Sequence, residues 1–219
     1  MSERIARASR ETAALIVRLR LAAYGESREF RLLKPECLEW SRVDDEEVVL
    51  AAFTASGEAV STTRGGIVRG AREAAEHLGC SVNLAAHHFP ALLLSRGATE
   101  RRAGQAGLHS ALRYYFLRSI LNSSICSALG MVYLSAPRTN LMREIGYEFE
   151  APKRVWDLEV EPIQPVMVAH LRADRIAKAC QQLESLVGDT LRAYPWHGPP
   201  IVWQEYCRES GARTATASP

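Results

Sequence analysis

The sequence predicts a mixed α/β or α+β fold with helices and strands layered around one core. Two observations favour it. Short β-prone runs are separated by helical segments along the chain. The composition, 47% hydrophobic and 24% charged over 219 residues, is that of an ordinary globular protein able to bury a sizeable core. We therefore expect one domain over residues 1–210, followed by a small, polar, frayed tail over 211–219.

The first part of the chain predicts a helix, a hairpin and a second helix. Apolar residues recur at three- and four-residue steps from Ile5 to Ala23, which indicates an amphipathic helix. An apolar run at 48–53 and a β-prone run at 59–63 flank a Ser-Gly-Glu turn, so a hairpin is expected there. A short helix should follow over 69–78.

The rest of the chain predicts alternating strands and helices. A buried strand at 89–95 leads through a Gly-containing loop over 96–107 into a long helix at 108–120. Further elements are expected as strands at 131–135, 147–149, 155–160 and 166–171, a short helix at 139–145 capped by Thr139, and an amphipathic helix at 173–191.

Charge and cysteine content exclude several classes of protein. A net charge of +2 disfavours a dedicated nucleic-acid binder. Of the 27 basic residues 24 are Arg, which suits binding of carboxylate and phosphate but also follows from a GC-rich genome. Five scattered cysteines without a C-x-x-C pair indicate a reducing compartment. With neither a secretory signal nor a membrane span in the sequence, we expect a cytoplasmic protein.

No metal site is predicted. His87 and His88 are adjacent, so on a strand they would point to opposite faces and could not easily share one metal ion.

The loop at 96–107 is the strongest functional lead among the motifs. A Gly- and Arg-containing loop that enters a helix presents free backbone N–H groups and the positive end of the helix dipole, which suits a phosphate. Arg101 and Arg102 would add charged donors, and Gly104 and Gly107 would allow close approach to the backbone. A plain structural turn is the alternative interpretation.

The same unit carries a family resemblance. L-S-R-x-A at 94–98 and R-x-x-G-x-A at 101–106 resemble the fourth strand and acyl-donor loop of the GNAT acyltransferase superfamily. The segments 57–64 and 144–147 resemble its hairpin strand and the end of its short helix. Within the superfamily, R-x-R-x-x-x-Y at 18–24 is similar to a motif of N-acyl amino acid synthases and acyl-homoserine-lactone synthases. The resemblance spans roughly residues 10 to 170.

The resemblance implies a GNAT-like fold, with a mixed, mostly antiparallel central sheet, a V-shaped splay between strands 89–95 and 131–135, and helices on both faces. It implies an N-acyltransferase that moves a fatty acyl group from acyl carrier protein, or from CoA, to the amine of an amino acid or related small molecule. No permanently bound cofactor is expected, because the acyl-phosphopantetheine or acyl-CoA is a co-substrate.

The resemblance also assigns residues to these roles. The donor loop comprises Arg101, Arg102, Ala103, Gly104, Gln105, Ala106 and Gly107. The substrate-binding residues are Arg64, Leu94, Ser95, Tyr133, Leu134 and Ser135. Arg18, Arg20 and Tyr24 would dock the acidic carrier protein, consistent with the local excess of positive charge in the first helix.

Two expected acid–base groups are missing. Where acyl-homoserine-lactone synthases have Glu before L-S-R, this chain has Leu93. Where many GNAT enzymes have a Tyr that acts as the catalytic acid, this chain has Met142. The sequence offers Glu100 and His88, or His87, as substitutes for these two groups. Arg96 is a further catalytic candidate. Arg96 is equally suited to a structural pair with Asp44 or Asp45. The alternative function is a non-catalytic GNAT-like domain that binds an acyl-thioester or a partner protein.

Overall fold

The computed structural model describes residues 2–26, 35–101, 107–134, 136, 138–155 and 165–206. Within these ranges the strands are β1 (Arg4–Arg7), β2 (Val48–Phe53), β3 (Ala59–Val68), β4 (Ala91–Thr99), β5 (Ser127–Tyr133), β6 (Glu148–Glu150) and β7 (Val166–Arg172). The helices are α1 (Ala13–Gly25), α2 (Arg42–Glu46), α3 (Ala71–Leu78), α4 (Leu108–Ser119), α5 (Arg138–Glu144) and α6 (Ala173–Ala193).

All seven strands form one sheet in the order β1-β2-β3-β4-β5-β7-β6. The neighbours pair antiparallel except β4 and β5, which pair parallel. Alternate residues of the central strands pack against α4, α5 and α6 on one face. The remaining residues pack against α3 and α1 on the other face. The predicted mostly antiparallel sheet with helices on both faces is thereby confirmed.

Burial on both faces explains why the central strands are continuous apolar runs. All six residues of β2 are buried, and so are Ala91 to Leu94 of β4. A strand covered by helices on both sides has no polar face, so alternation of apolar and polar residues disappears. The hairpin and the strand predicted at 89–95 could be found for this reason.

The predicted helix from Ile5 to Ala23 is wrong in its first turns. Arg4–Arg7 is instead an edge strand that pairs antiparallel with β2, Ile5 lying opposite Ala52. The helix begins only at Ala13. Helical spacing of apolar residues is overridden here because strand pairing completely buries Ile5 in the core.

The outer edge of β1 is covered by a segment near the other end of the described chain. The backbone N–H of Ile5 donates to the carbonyl of Pro195 at 2.9 Å, and that of His197 donates to the carbonyl of Ile5 at 2.7 Å. The Ile5–Trp196 bridge between them is parallel. Segment 195–197 therefore takes up hydrogen-bonding groups that an open edge strand would expose.

Other predicted elements differ from the structure in their bounds or in their type. The strand predicted at 131–135 begins at Ser127, where its pairing with β4 starts. His87 and His88 lie on a single 3-10 turn rather than on a strand, and their ring centroids are 4.2 Å apart. Of the strand predicted at 155–160, Val155 bridges Cys80, and 156–160 lie outside the described residues.

The described parts of the chain hold neither a candidate membrane-spanning helix nor a candidate metal cluster. None of the helices there has the length and apolarity needed to span a bilayer. No group of three His, Cys, Asp or Glu side chains there could hold a metal ion.

Candidate active site

The two central strands separate half-way along their length. Parallel pairing runs from Ala91 opposite Ser127 to Leu94 opposite Gly130 and then stops. Both strands nevertheless continue, β4 along β3 and β5 along β7. Each strand thus keeps its outer neighbour and loses its inner one, which opens a V-shaped gap inside the sheet. A Cβ on Gly130 would lie 3.2 Å from the carbonyl oxygen of Leu94, so the strands are in close contact just before they part.

A β-bulge in β4 lies at the mouth of this gap. Arg64 pairs with Ser95 and Thr62 with Ala98, so Arg96 and Gly97 together face only Thr63. Arg96 has a φ of +53°, in the left-handed region that non-glycine residues rarely adopt. A bulge of this kind turns backbone groups out of the ladder, and such strained positions concentrate at functional sites.

A cavity of about 250 Å³ occupies the gap. Its walls come from both faces of the sheet. Leu94 and Val132 belong to the core on the α4 side, whereas Leu78 and Met131 pack on the α3 side. The complete lining is Tyr24, Cys37, Thr63, Arg64, His77, Leu78, Leu94, Ser95, Arg96, Gly97, His109, Arg113, Gly130, Met131, Val132, Arg138 and Met142. Two molecules could therefore approach one point from opposite faces of the sheet.

The structure brings several of the predicted site residues together and leaves others apart. Arg64, Leu94, Ser95, Arg96 and Tyr24 all line the cavity. Tyr133 and Leu134 do not: Tyr133 is buried at the end of β5, and Leu134 is 41% exposed. Arg102, Ala103, Gly104, Gln105, Ala106 and Ser135 lie outside the described residues.

The ends of the predicted donor loop are described. Arg101 is exposed, with its Nε 3.7 Å from Oε2 of Glu26. Gly107 has a φ of +95° and immediately precedes α4. The roles assigned to both residues stay predictions.

Neither acid–base candidate from the sequence reaches the cavity. His88 lies beyond the opposite end of β4, where its carbonyl accepts a hydrogen bond from Ser127 Oγ at 2.7 Å and its ring is 5.3 Å from that of His170. Glu100 follows the last residue of β4, and its backbone N–H donates to Val60. Neither side chain is part of the cavity lining, because the gap opens between them, in the middle of β4.

The prediction that Arg20 docks the carrier protein is wrong, because Arg20 is buried. The Arg20 side chain is 1% exposed, and its Nη2 lies 2.6 Å from Oδ1 of Asp44. Burial raises the pKa of Asp44, but hydrogen bonds from Arg20 and the Ser41 backbone outweigh it and the net pKa is lowered. Arg18 is 65% exposed and 3.7 Å from Glu58, so its position is compatible with docking.

The buried ion pairs continue to the cavity wall. Arg64 Nη1 lies 3.6 Å from the same Asp44 oxygen, and Arg64 Nε lies 2.9 Å from Glu47 Oε2. Arg64 Nε also donates to Ser95 Oγ at 3.1 Å. The structural pair suggested for Arg96 is absent among the described residues, because Asp44 binds Arg20 and Arg64 and Asp45 binds Arg10.

Two histidines of the cavity were not predicted from the sequence. His77 lies on the α3 side, 28% exposed, with Nδ1 3.7 Å from Glu47 Oε1. Burial raises the pKa of Glu47 despite the charges of Arg64 and His77. His109, in the first turn of α4, lies against the bulge. Neither histidine belongs to a recognisable motif, and only the fold places them at the gap.

The surroundings of His109 disfavour its protonated form. Burial, followed by the charges of Arg138 and Arg113, lowers the pKa of His109 well below 6.5. A Cβ on Gly97 would lie 2.5 Å from its Cε1, so the ring is packed directly on the bulge.

Stability should rise with pH between about 5.5 and 7.5. The lowered pKa of His109 means that the unfolded chain binds more protons below about 6.5, so acid favours unfolding. His109→Asn should flatten this dependence, by at most about 1.4 kcal/mol per pH unit, in urea denaturation measured across the range. Parallel curves for the variant and the wild type would contradict a lowered pKa of His109.

Solved structures share this architecture. The CoA-dependent acyl-homoserine lactone synthase BjaI aligns with a TM-score of 0.61 at 17% identity, over 91% of this chain and 96% of the synthase. A GNAT superfamily phosphinothricin acetyltransferase from Sinorhizobium meliloti, in complex with acetyl-CoA, aligns with a TM-score of 0.54 at 11% identity, over 78% of this chain and 89% of that one.

This chain has the GNAT fold. A GNAT-family acetyltransferase from Streptococcus pneumoniae aligns similarly, with a TM-score of 0.52 at 16% identity, over 78% of this chain and 99% of that one. No family model and no curated protein matches the sequence. The predicted GNAT fold is thus confirmed through structure.

Proposed function

We propose that this protein transfers an acyl group from a phosphopantetheine thioester to the amine of an amino acid or related small molecule. The observation that carries the proposal is the gap between β4 and β5, which opens a cavity through the sheet beside a strained bulge. A thioester arm entering on the α4 side and an amine on the α3 side would meet at Leu94 and Ser95.

The donor is acyl carrier protein or CoA. Arg18 and Arg101 are exposed, and among the described residues each lies 3.7 Å from a glutamate, a spacing typical of weak surface pairs. Both guanidinium groups are thus available to an acidic carrier protein, which supports the first donor. The likeness to BjaI, which is described as a CoA-dependent synthase, supports CoA as the donor.

The chemistry needs a base, a polarised carbonyl and a leaving group. The amine nitrogen attacks the thioester carbonyl carbon, a C–N bond forms, the C–S bond breaks, and the sulfur leaves as thiolate. His77, on the α3 side and backed by Glu47, is suited to accept the amine proton, since imidazole is the commonest general base. Backbone N–H groups freed at the bulge are suited to polarise the carbonyl oxygen.

The test is thiol release. Purified protein is mixed with decanoyl-CoA or decanoyl carrier protein and a panel of amino acids, and free thiol and acylated amine are quantified together. Equal amounts of thiol and N-acyl product, both dependent on the amine, are expected. Thioester hydrolysis without amine dependence, or no thiol release with either donor, would reject the proposal.

Packing at the bulge gives a sharper prediction. Gly97→Ala should lower the transfer rate at least tenfold, because its Cβ displaces the His109 ring from the cavity wall. Gly70→Ala is the matched control, since a Cβ there meets nothing within 4 Å. Equal rates in the two variants would show that the bulge does not take part in transfer.

A binding protein without catalysis is the second candidate. Leu93 and Met142 are 1% and 2% exposed, apolar where the resemblance implies acid–base groups. Under this alternative, decanoyl thioesters bind tightly and no N-acyl product forms even with excess amine.

A further inference from the structure

Three basic side chains meet on the α4 side of the cavity. His109 and Arg113 are one turn apart on α4, and Arg138 is the first residue of α5. All three line the cavity. Arg113 is 8% exposed, and the Nε of Arg138 is buried without a hydrogen-bond partner.

Unlike Arg20 and Arg64, Arg113 and Arg138 have no acidic partner in the described part of the chain. Arg20 and Arg64 are each paired with carboxylates. In the described part of the chain no carboxylate lies within ion-pair distance of Arg113 or Arg138. Arg113 instead lies over the ring of Tyr147, 5.1 Å from its centroid.

The guanidinium charge of Arg138 is held in an unfavourable environment. Burial, together with the neighbouring charge of Arg113, lowers the pKa of Arg138 although Tyr24 opposes the shift. A buried charge without a counter-charge destabilises a fold. An anionic ligand bound beside these arginines would supply the missing charge and offset this cost.

We infer that Arg113 and Arg138 bind an oxyanion of a substrate, a carboxylate or a phosphate, on the α4 side of the cavity. Guanidinium groups bind both oxyanions through paired, charge-assisted hydrogen bonds. The neutral His109 beside them offers one further hydrogen bond and no additional charge to neutralise. The inference deepens the proposed acyl transfer by requiring one substrate to be anionic.

The oxyanion has two possible sources, and two pairs of probes separate them. N-decanoylglycine and N-decanoylglycinamide differ only in the carboxylate of the acceptor part. 4′-Phosphopantetheine and pantetheine differ only in the phosphate of the donor. Affinities are measured by isothermal titration calorimetry on the full chain, without turnover.

We expect the charged member of one pair to bind the wild type about 10–100-fold more tightly than its neutral partner. This preference should fall below about threefold in Arg113→Gln and in Arg138→Gln, because each removes a charged donor. It should persist in Arg118→Gln and Arg143→Gln, the matched controls on α4 and α5, where both arginines are exposed. The probe pair that shows this preference identifies the substrate that supplies the oxyanion.

A preference in neither pair, or one that survives either cavity substitution, overturns the inference. Thiol release is scored separately: a charge preference without transfer would reject the acyltransferase function and leave the anion site standing.

Thermal unfolding of the ligand-free protein provides a second test. Arg138→Met removes an unpaired charge, so the Tm should rise, by about 2–4 °C. A fall in Tm would indicate a structural role for Arg138 and contradict the inference.

Discussion

Asp44→Asn is expected to lower the free energy of unfolding by about 3–5 kcal/mol. The substitution keeps the shape of the side chain and removes its charge. Arg20, 1% exposed and 2.6 Å from Asp44, would then be left as a buried cation without a counter-charge. Arg64 would lose the weaker of its two carboxylate contacts. Urea denaturation measures the loss directly.

Asp45→Asn is the neighbouring control. Asp45 pairs with Arg10, whose side chain is 73% exposed, and a surface pair of this kind contributes little to stability. Combining Asp44→Asn with Arg20→Met should recover part of the loss, because no buried charge is then left unpaired. Similar losses for the two aspartates would show that burial of the Asp44 pair does not matter.

His77→Gln should lower kcat/KM for acyl transfer by about 10²–10⁴-fold. The reason is that glutamine cannot accept the proton of the attacking amine. The affinity for the donor thioester should be unchanged, because His77 lies on the α3 side of the gap. Glu47→Gln should have a smaller effect on the chemical step, since Glu47 would act on the amine through His77; its second contact is the ion pair with Arg64.

Two comparisons make this prediction specific. His87→Gln changes an exposed histidine outside the cavity and should leave the rate unchanged. With hydroxylamine, an acceptor whose nitrogen is already neutral at pH 7, the His77→Gln defect should largely disappear. A defect of the same size with hydroxylamine and with amino acids would exclude His77 as the base.

The sequence predicted elements where local signals and packing agree. The hairpin, α3, α4 and α6 were predictable because their apolar patterns match the faces that they bury. The first strand was not, since the helical spacing of Ile5 is outweighed by its pairing with Ala52. Such non-local pairing leaves no trace in a short window of sequence.

The site was predictable only along β4. The L-S-R-x-A motif led to Leu94, Ser95 and Arg96, which all line the cavity. His77 and Arg138 come from elements whose local sequence has no recognisable motif, and the meeting of those elements depends on the sheet order. Arg20 was assigned to carrier-protein docking through the resemblance at 18–24, yet its charge is buried with Asp44.

The cover on β1 has a consequence for synthesis of the protein. Ile5 leaves the ribosome first, but its hydrogen-bonding partners Pro195 and His197 follow some 190 residues later. At translation rates of about 5–20 residues per second, the edge of the nascent sheet stays unprotected for roughly 10–40 s. During that interval the growing chain offers an open strand edge to other nascent chains. Pairing between such edges is the aggregation step that chaperones would need to prevent.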